Sequence, residues 1–359
     1  MKAGVTIIFL LSIFVLSCGP GKPVKTEPAA STNRYIFYPP LPNSPRYQYL
    51  TTFSTSDDVQ KKKSKFFKFV AGNDQEKPKE IKKAYGAAIN DGVIYTCDIS
   101  NGALVKMDLK NQTFEYLGIM GSGKLVKPVN VAVDKTNGLL YVADMGRKQV
   151  VCFDLQGNTS KFYGTQGQFN PSDVEVYNNK LFICDVKTHQ IHVLDTATGE
   201  TLYKIGKPGS NDGELFHPTN ICIVNDKVYV SDTNNFRVQI FDLKGNFIAK
   251  FGKIGDRPGN FSRGKGIAVD KEGRIYVVDA AFENVQVFDR DFKMLLYMFG
   301  PGREKHNINL PAAVVVDYDN LAYFKKYLSP KFQAEYLLLV TSNFGFNKVN
   351  VYAFGNYRQ

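Results

Sequence analysis

Gly266-Ile-Ala-Val-Asp270, Arg274-Ile-Tyr-Val-Val-Asp279, Asn284-Val-Gln-Val-Phe-Asp289 and Lys293-Met-Leu-Leu-Tyr-Met-Phe-Gly300 follow one another with short breaks between Phe261 and Gly300. Each run is short, alternates apolar with polar residues and is bounded by Gly, Asn or Asp, the pattern of a half-buried strand rather than a helix. The preceding segment repeats the order as Pro218-Thr-Asn-Ile-Cys-Ile223, Lys227-Val-Tyr-Val-Ser-Asp232, Arg237-Val-Gln-Ile-Phe-Asp242 and Asn246-Phe-Ile-Ala-Lys-Phe-Gly252. The Asp ending the second run recurs as Asp98, Asp144, Asp185, Asp232 and Asp279, at spacings of 46, 41, 47 and 47 residues, and Ser342 takes its place in a sixth copy. Self-similarity at this period marks a repeat architecture.

Six four-stranded units of about 45 residues, filling Lys83 to Gly355, predict an all-β six-bladed β-propeller, whose radial closure leaves only short sheet edges. The sixth copy ends at Gly355 without a fourth strand, and Tyr47-Gln-Tyr-Leu-Thr-Thr-Phe53 stands alone ahead of the first copy with the pattern of one. It is expected to pair with Val349 to Tyr352 and close the ring. Tyr318 to Glu335 is extra length in the last copy, read as a short helix or folded-over loop. The propeller domain is thus 35–359, with 35–82 as closing strand plus basic segment and 83–355 as repeats.

The 359 residues are 43% hydrophobic, with 30 Gly and 16 Pro, which excludes collagen-like, disordered and coiled-coil chains. Net charge is +11 and spread along the chain. Nine lysines lie between Lys61 and Lys83. Basicity alone does not identify nucleic acid, and no nucleic-acid partner is expected; acidic partners or anionic head groups are favoured instead. Met1-Lys2 followed by the uncharged run Val5 to Leu16 reads as a signal peptide, too short to span a bilayer. The run ends Val15-Leu16-Ser17-Cys18-Gly19, which resembles a bacterial lipobox, so Cys18 is the expected lipidation site. That divides the leader into a signal peptide, 1–17, and a Gly/Pro/Ser/Thr-rich flexible tether, 18–34. The expected address is the bacterial cell envelope, lipid-anchored, on the outer membrane if the cell is Gram-negative, with the domain outside the cytoplasm.

The repeat units resemble the NHL family, whose unit reads Pro-x-Gly-Ile-Ala-Val-Asp, Ile-Tyr-Val-Ala-Asp, Asn-x-Arg-Ile-Gln-Val-Phe and Phe-Gly. Lys207 to Gly300 matches closely, and the other copies match in strand pattern. The family arginine of the third strand survives as Arg237, with Gln149, Gln190 and Asn284 elsewhere, and Gly264 replaces a family proline. These losses weaken any surface function the resemblance implies, and among NHL proteins the chain looks most like secreted bacterial lipoproteins, many without assigned activity.

A carboxylate that every blade needs once is best explained as a turn acceptor, so the repeated Asp98, Asp144, Asp185, Asp232 and Asp279 are expected to take backbone N–H groups. Chemistry belongs where blades break the pattern. Aligned first strands place Gly86, Asn130, Asp173, Asn220, Gly266 and Ala313 near the channel mouth, with Glu175 two residues on where other copies are small or apolar. Asn130, Asp173, Glu175 and Asn220 are therefore the candidate ligand or cation site, for Ca²⁺ or Mg²⁺ if oxygen ligands converge there, or a hydrogen-bonded, hydrated pore lining if they do not. No other cofactor and no catalytic residue is indicated. His189, His217 and His306 are expected on one face, without metal-binding spacing, and Cys97, Cys152, Cys184 and Cys222 read as strand-core thiols. The function these features favour is a non-enzymatic, membrane-anchored scaffold that binds an envelope or extracellular protein or ligand. The alternative is a metal-dependent lyase or lactone hydrolase at the channel mouth.

Overall fold

Six antiparallel sheets of four or five strands follow one another around a central channel. The computed structural model describes residues 35–60, 77–165 and 167–358; the expected signal peptide, the tether, Cys18 and the lysine-rich stretch 61–76 lie outside the described residues. In the first blade Ala84–Asn90, Val93–Asp98, Ala103–Asp108 and Thr113–Leu117 pair in chain order. The inner strands of the next five are Pro128–Asp134, Pro171–Tyr177, Pro218–Val224, Gly264–Val269 and Pro311–Asp317. No helix among the described residues is long and apolar enough to cross a membrane.

Closure is as the orphan strand requires. Tyr47–Phe53 is the fourth strand of the last blade, antiparallel to Val349–Tyr357, with Phe53 opposite Val349 and Thr51 opposite Val351. A fifth strand, Ile36–Tyr38, pairs outside it. Alternation along the strands sends apolar side chains into the gaps between blades, and each gap holds its own buried cluster. Cys97, Leu104, Val142 and Phe153 lie between the first two blades, Tyr276, Val287, Leu338 and Tyr352 between the fifth and sixth. Ile94, Val105, Leu339 and Val351 pack the sixth blade against the first.

The extra segment of the last blade forms the 3₁₀ helix Leu321–Tyr327. Asp317 accepts the Asn320 backbone and side-chain N–H groups, and Asn320 in turn accepts the Gly92 N–H at 2.7 Å, joining the last blade to the first. Phe324, fully buried, enters the cluster at that junction.

Antiparallel alternation puts the turns between second and third strands on the same face as the connections that link blades; we name this the connecting face. Here the repeated aspartates sit, fully buried. Asp98 accepts N–H groups of Ser100 and Asn101 in its own turn and of Lys82 and Lys83 in the incoming connection. Asp144 does the same for Gly146, Arg147, Val126 and Lys127. Asp185, Asp232 and Asp279 likewise hold the N–H groups of Asn170, Phe216 and Ser262. In the sixth blade the Ser342 hydroxyl accepts the Asn309 N–H at 3.2 Å. Each such group satisfies donors that the chain would otherwise bury unpaired as it crosses between blades.

Candidate functional site

All six inner strands shift register near their start, for example between Pro171 and Asp173 and between Pro218 and Asn220. A bulge re-aims the side chains that follow it. Asn130 and Asp173 consequently reach along the ring to the next inner strand, and Asn220 turns back to Asp173. A Cβ on Gly86 would lie 2.5 Å from the Asn130 Cα, and one on Gly266 2.5 Å from the Ala313 Cα. Only glycine permits these two close approaches.

The polar members of the ring form a tangential stitch through three blades. The Asn130 side-chain amide donates to one oxygen of Asp173, which also takes the Val174 N–H at 2.7 Å. The other oxygen accepts the Ile221 N–H at 2.8 Å and the Asn220 amide at 3.3 Å. Asp173 is only 2% exposed and Asn220 4%, so this ring is an internal constriction and not an open mouth. Four N–H donors fill the lone pairs of Asp173, leaving little for a cation to bind. The oxygen ligands expected to converge on Ca²⁺ or Mg²⁺ instead turn toward one another. Among the described residues no group of three or more His, Cys, Asp and Glu is placed to hold a metal. That leaves the Glu175 carboxyl and the Asn220 Oδ1, which is buried without a partner, as the protein oxygens free to meet a cation here.

Glu175 differs from its neighbours in the ring. It lines a cavity of about 280 Å³ whose other walls include Ala88, Ala132, Cys222, Ala268 and Val315. Burial, and then the charge of Asp173, push its pKa up to about 8. Burial pushes Asp173 up to about 7 against the opposing pull of its N–H donors. Because four N–H donors favour the charged form of Asp173, Glu175 is the carboxyl raised further and the one that holds its proton near neutral pH. The channel therefore presents a protonated carboxyl among small apolar residues and the polar Asn130 and Asn220, able to donate to water or a small ligand.

His189, His217 and His306 all lie in loops of the connecting face, and they do not converge on one point. His189 Nδ1 accepts the His217 N–H at 3.0 Å and its ring packs on Phe216, while His306 lies against Tyr38 and Tyr49. His192 is buried in a hydrogen bond with Asp185. Cys97, Cys152, Cys184 and Cys222 are free.

The connecting face carries features that the repeat alignment does not single out. Met120, Val126, Phe216, Ile254, Phe344 and Phe346 all project from its loops, Met120 being 75% and Phe346 84% exposed. Basic side chains stand beside them: Lys83 over the Phe344 ring, Lys265 over Tyr85, Arg147 over Phe162 at the rim. The signal for Phe344 and Phe346 was an aromatic pair inside a turn, Asn343-Phe-Gly-Phe-Asn347, where the other copies have none.

Residues 211–356 match the profile of a family described as a six-bladed beta-propeller. Over 141 residues, 38% of this chain, it is 29% identical to the protein brain tumor of Drosophila melanogaster, and that stretch spans only 13% of the fly protein. Among solved structures it is similar to a protein of unknown function from Bacteroides thetaiotaomicron, with TM-score 0.57, 16% identity and coverage of 79% of this chain and 72% of the other. A gluconolactonase from Xanthomonas campestris gives 0.56, 14%, 88% and 91%, and a streptogramin B lyase 0.52, 13%, 77% and 83%. At such identities the likeness concerns the fold, and the chain is a six-bladed β-propeller.

Proposed function

We propose that this chain is an NHL-type envelope lipoprotein, anchored through a lipid on Cys18, whose propeller is a non-enzymatic scaffold that docks an acidic protein partner on its connecting face. The observation that carries the reading is the concentration of Met120, Val126, Phe216, Ile254, Phe344 and Phe346 on one face. Exposed apolar side chains set among polar ones are the composition of a docking surface. Charge selects the partner's sign. The chain is net basic, and among the described residues Lys83, Lys127, Arg147, Arg263 and Lys265 of this face have no carboxylate within ion-pair distance. A surface of this kind steers acidic partners. Affinity capture with the intact protein tests the reading. Phe344→Ala with Phe346→Ala should lose a partner that wild type retains and that Ile248→Ala with Leu295→Ala, on the outer strands, also retains; equal retention by both pairs would count against it.

The second reading, a metal-dependent lyase or lactone hydrolase, has one observation in its favour, the Glu175 carboxyl lining the channel cavity. Calorimetry separates the two. If millimolar Ca²⁺ or Mg²⁺ raises the melting temperature of wild type but not of Asp173→Asn with Glu175→Gln, the enzyme reading gains; no shift in either removes its support.

A further inference from the structure

At the centre of the connecting face, Lys265 from the fifth inner strand reaches Tyr85 from the first, passing over the sixth, which carries only Ala312 and Ala313 there. The Lys265 ammonium donates to the Tyr85 hydroxyl and lies 5.0 Å from its ring centroid. Thr341 fixes Tyr85 from below by donating to its carbonyl oxygen. Arg263 is two residues before Lys265; its backbone N–H is spent on Asp279, and its guanidinium is exposed. Among the described residues neither cation is within 4.0 Å of a carboxylate, unlike Arg237 and Lys207 of the same face, which pair with Asp232 and Glu214. His217 reports the crowding. Its basicity is lowered first by burial and then by the neighbouring His189, Lys265 and Arg263.

We infer that the channel mouth seats a carboxylate of an acidic peptide segment, with Lys265, Arg263 and the Tyr85 hydroxyl as its donors. Unpaired cations held together cost energy that an arriving anion removes, and charge-assisted bonds from a lysine and an arginine are the strong kind. Phe216 and Phe344, exposed on the same face, supply apolar shoulders for the flanking residues of a peptide, which a free anion does not need. The inference deepens the docking reading above and rests on it.

Fluorescence anisotropy with labelled octaglutamate and the full chain tests it. Lys265→Gln should weaken binding about tenfold, Arg263→Gln and Tyr85→Phe by smaller factors, and Lys110→Gln on the opposite face should leave it unchanged. Circular dichroism of each variant checks that the fold is kept. The inference is overturned if wild type does not bind octaglutamate, if Lys265→Gln binds as wild type does, if Lys110→Gln weakens binding equally, or if an oligothymidylate binds more tightly than the peptide. Inorganic phosphate that competes at matched ionic strength as well as octaglutamate does would also overturn the peptide assignment. A Lys265→Gln protein that binds octaglutamate normally, while Phe344→Ala with Phe346→Ala loses its partner, would remove the seat and leave the docking face standing.

Discussion

The Tyr276 hydroxyl lies 2.6 Å from the hydroxyl of Tyr336, joining the fifth blade to the sixth inside their shared core. The chain of bonds continues at both ends. Tyr47 of the closing strand approaches Tyr276 at 3.1 Å, and Tyr336 donates to Asp270 at 2.8 Å, where Arg274 also binds. A strand contributed from the other end of the sequence is thereby tied to two blades. Removing the middle hydroxyl leaves the buried Tyr47 hydroxyl without its partner, while Tyr336 keeps its bond to Asp270. Tyr276→Phe should cost about 1–3 kcal/mol, read as a lower urea midpoint; an unchanged midpoint would show that the chain of bonds adds nothing.

The junction of last and first blades depends on the extra segment. Phe324 is fully buried among Phe53, Leu337 and Val349, and its ring meets that of Phe53 with centroids 6.4 Å apart. Truncating such a phenylalanine leaves a cavity, so Phe324→Ala should cost about 3–5 kcal/mol. Deleting residues 35–55, which removes the closing strand, should destabilise by at least as much. A thermal melt that is unmoved by either change would contradict this account of closure.

Glu175 sets a pH dependence with a definite sign. Unfolded, its carboxyl ionises near the ordinary value of 4.5, and folded near 8. Between those values the folded protein holds a proton that the unfolded chain has released, so stability falls as pH rises through the window. Asp173 is displaced in the same direction. Urea midpoints measured across that range should decline, and Glu175→Gln should flatten the decline. A wild type whose stability rises over the same interval would contradict the assignment of the proton.

Much of this architecture is legible in the residues. The recurrence of Asp98 through Asp279, with Ser342 in the sixth place, gives the blade count because one side-chain acceptor per blade is needed to take the N–H groups of each incoming connection. Tyr47 to Phe53 reveals the closure because an alternating strand with no partner nearby must find one elsewhere. The direction of Asn130, Asp173 and Asn220 is not legible. Strict alternation places them facing the channel, but a register shift at the start of every inner strand turns them along the ring, and bulges leave no alternation signal. Ile36–Tyr38 is too short for periodicity to show. The docking residues sit in loops, where patterning carries no information and only the oddity of two phenylalanines in one turn stands out.

If Cys18 carries a lipid, Cys18→Ser should release the protein from membranes and abolish metabolic acyl labelling. A wild-type protein that stays membrane-bound without acyl label would rule out the proposed anchor.

Position-specific photo-crosslinking in intact cells tests the docking face most directly. A photoreactive residue replacing Phe346, on the connecting face, should trap one recurring acidic protein, whereas the same residue replacing Asp291, in a turn on the opposite face, should not. Equal trapping from both positions, or adducts from Asp291 alone, would contradict the claim that this propeller works as a scaffold through its connecting face.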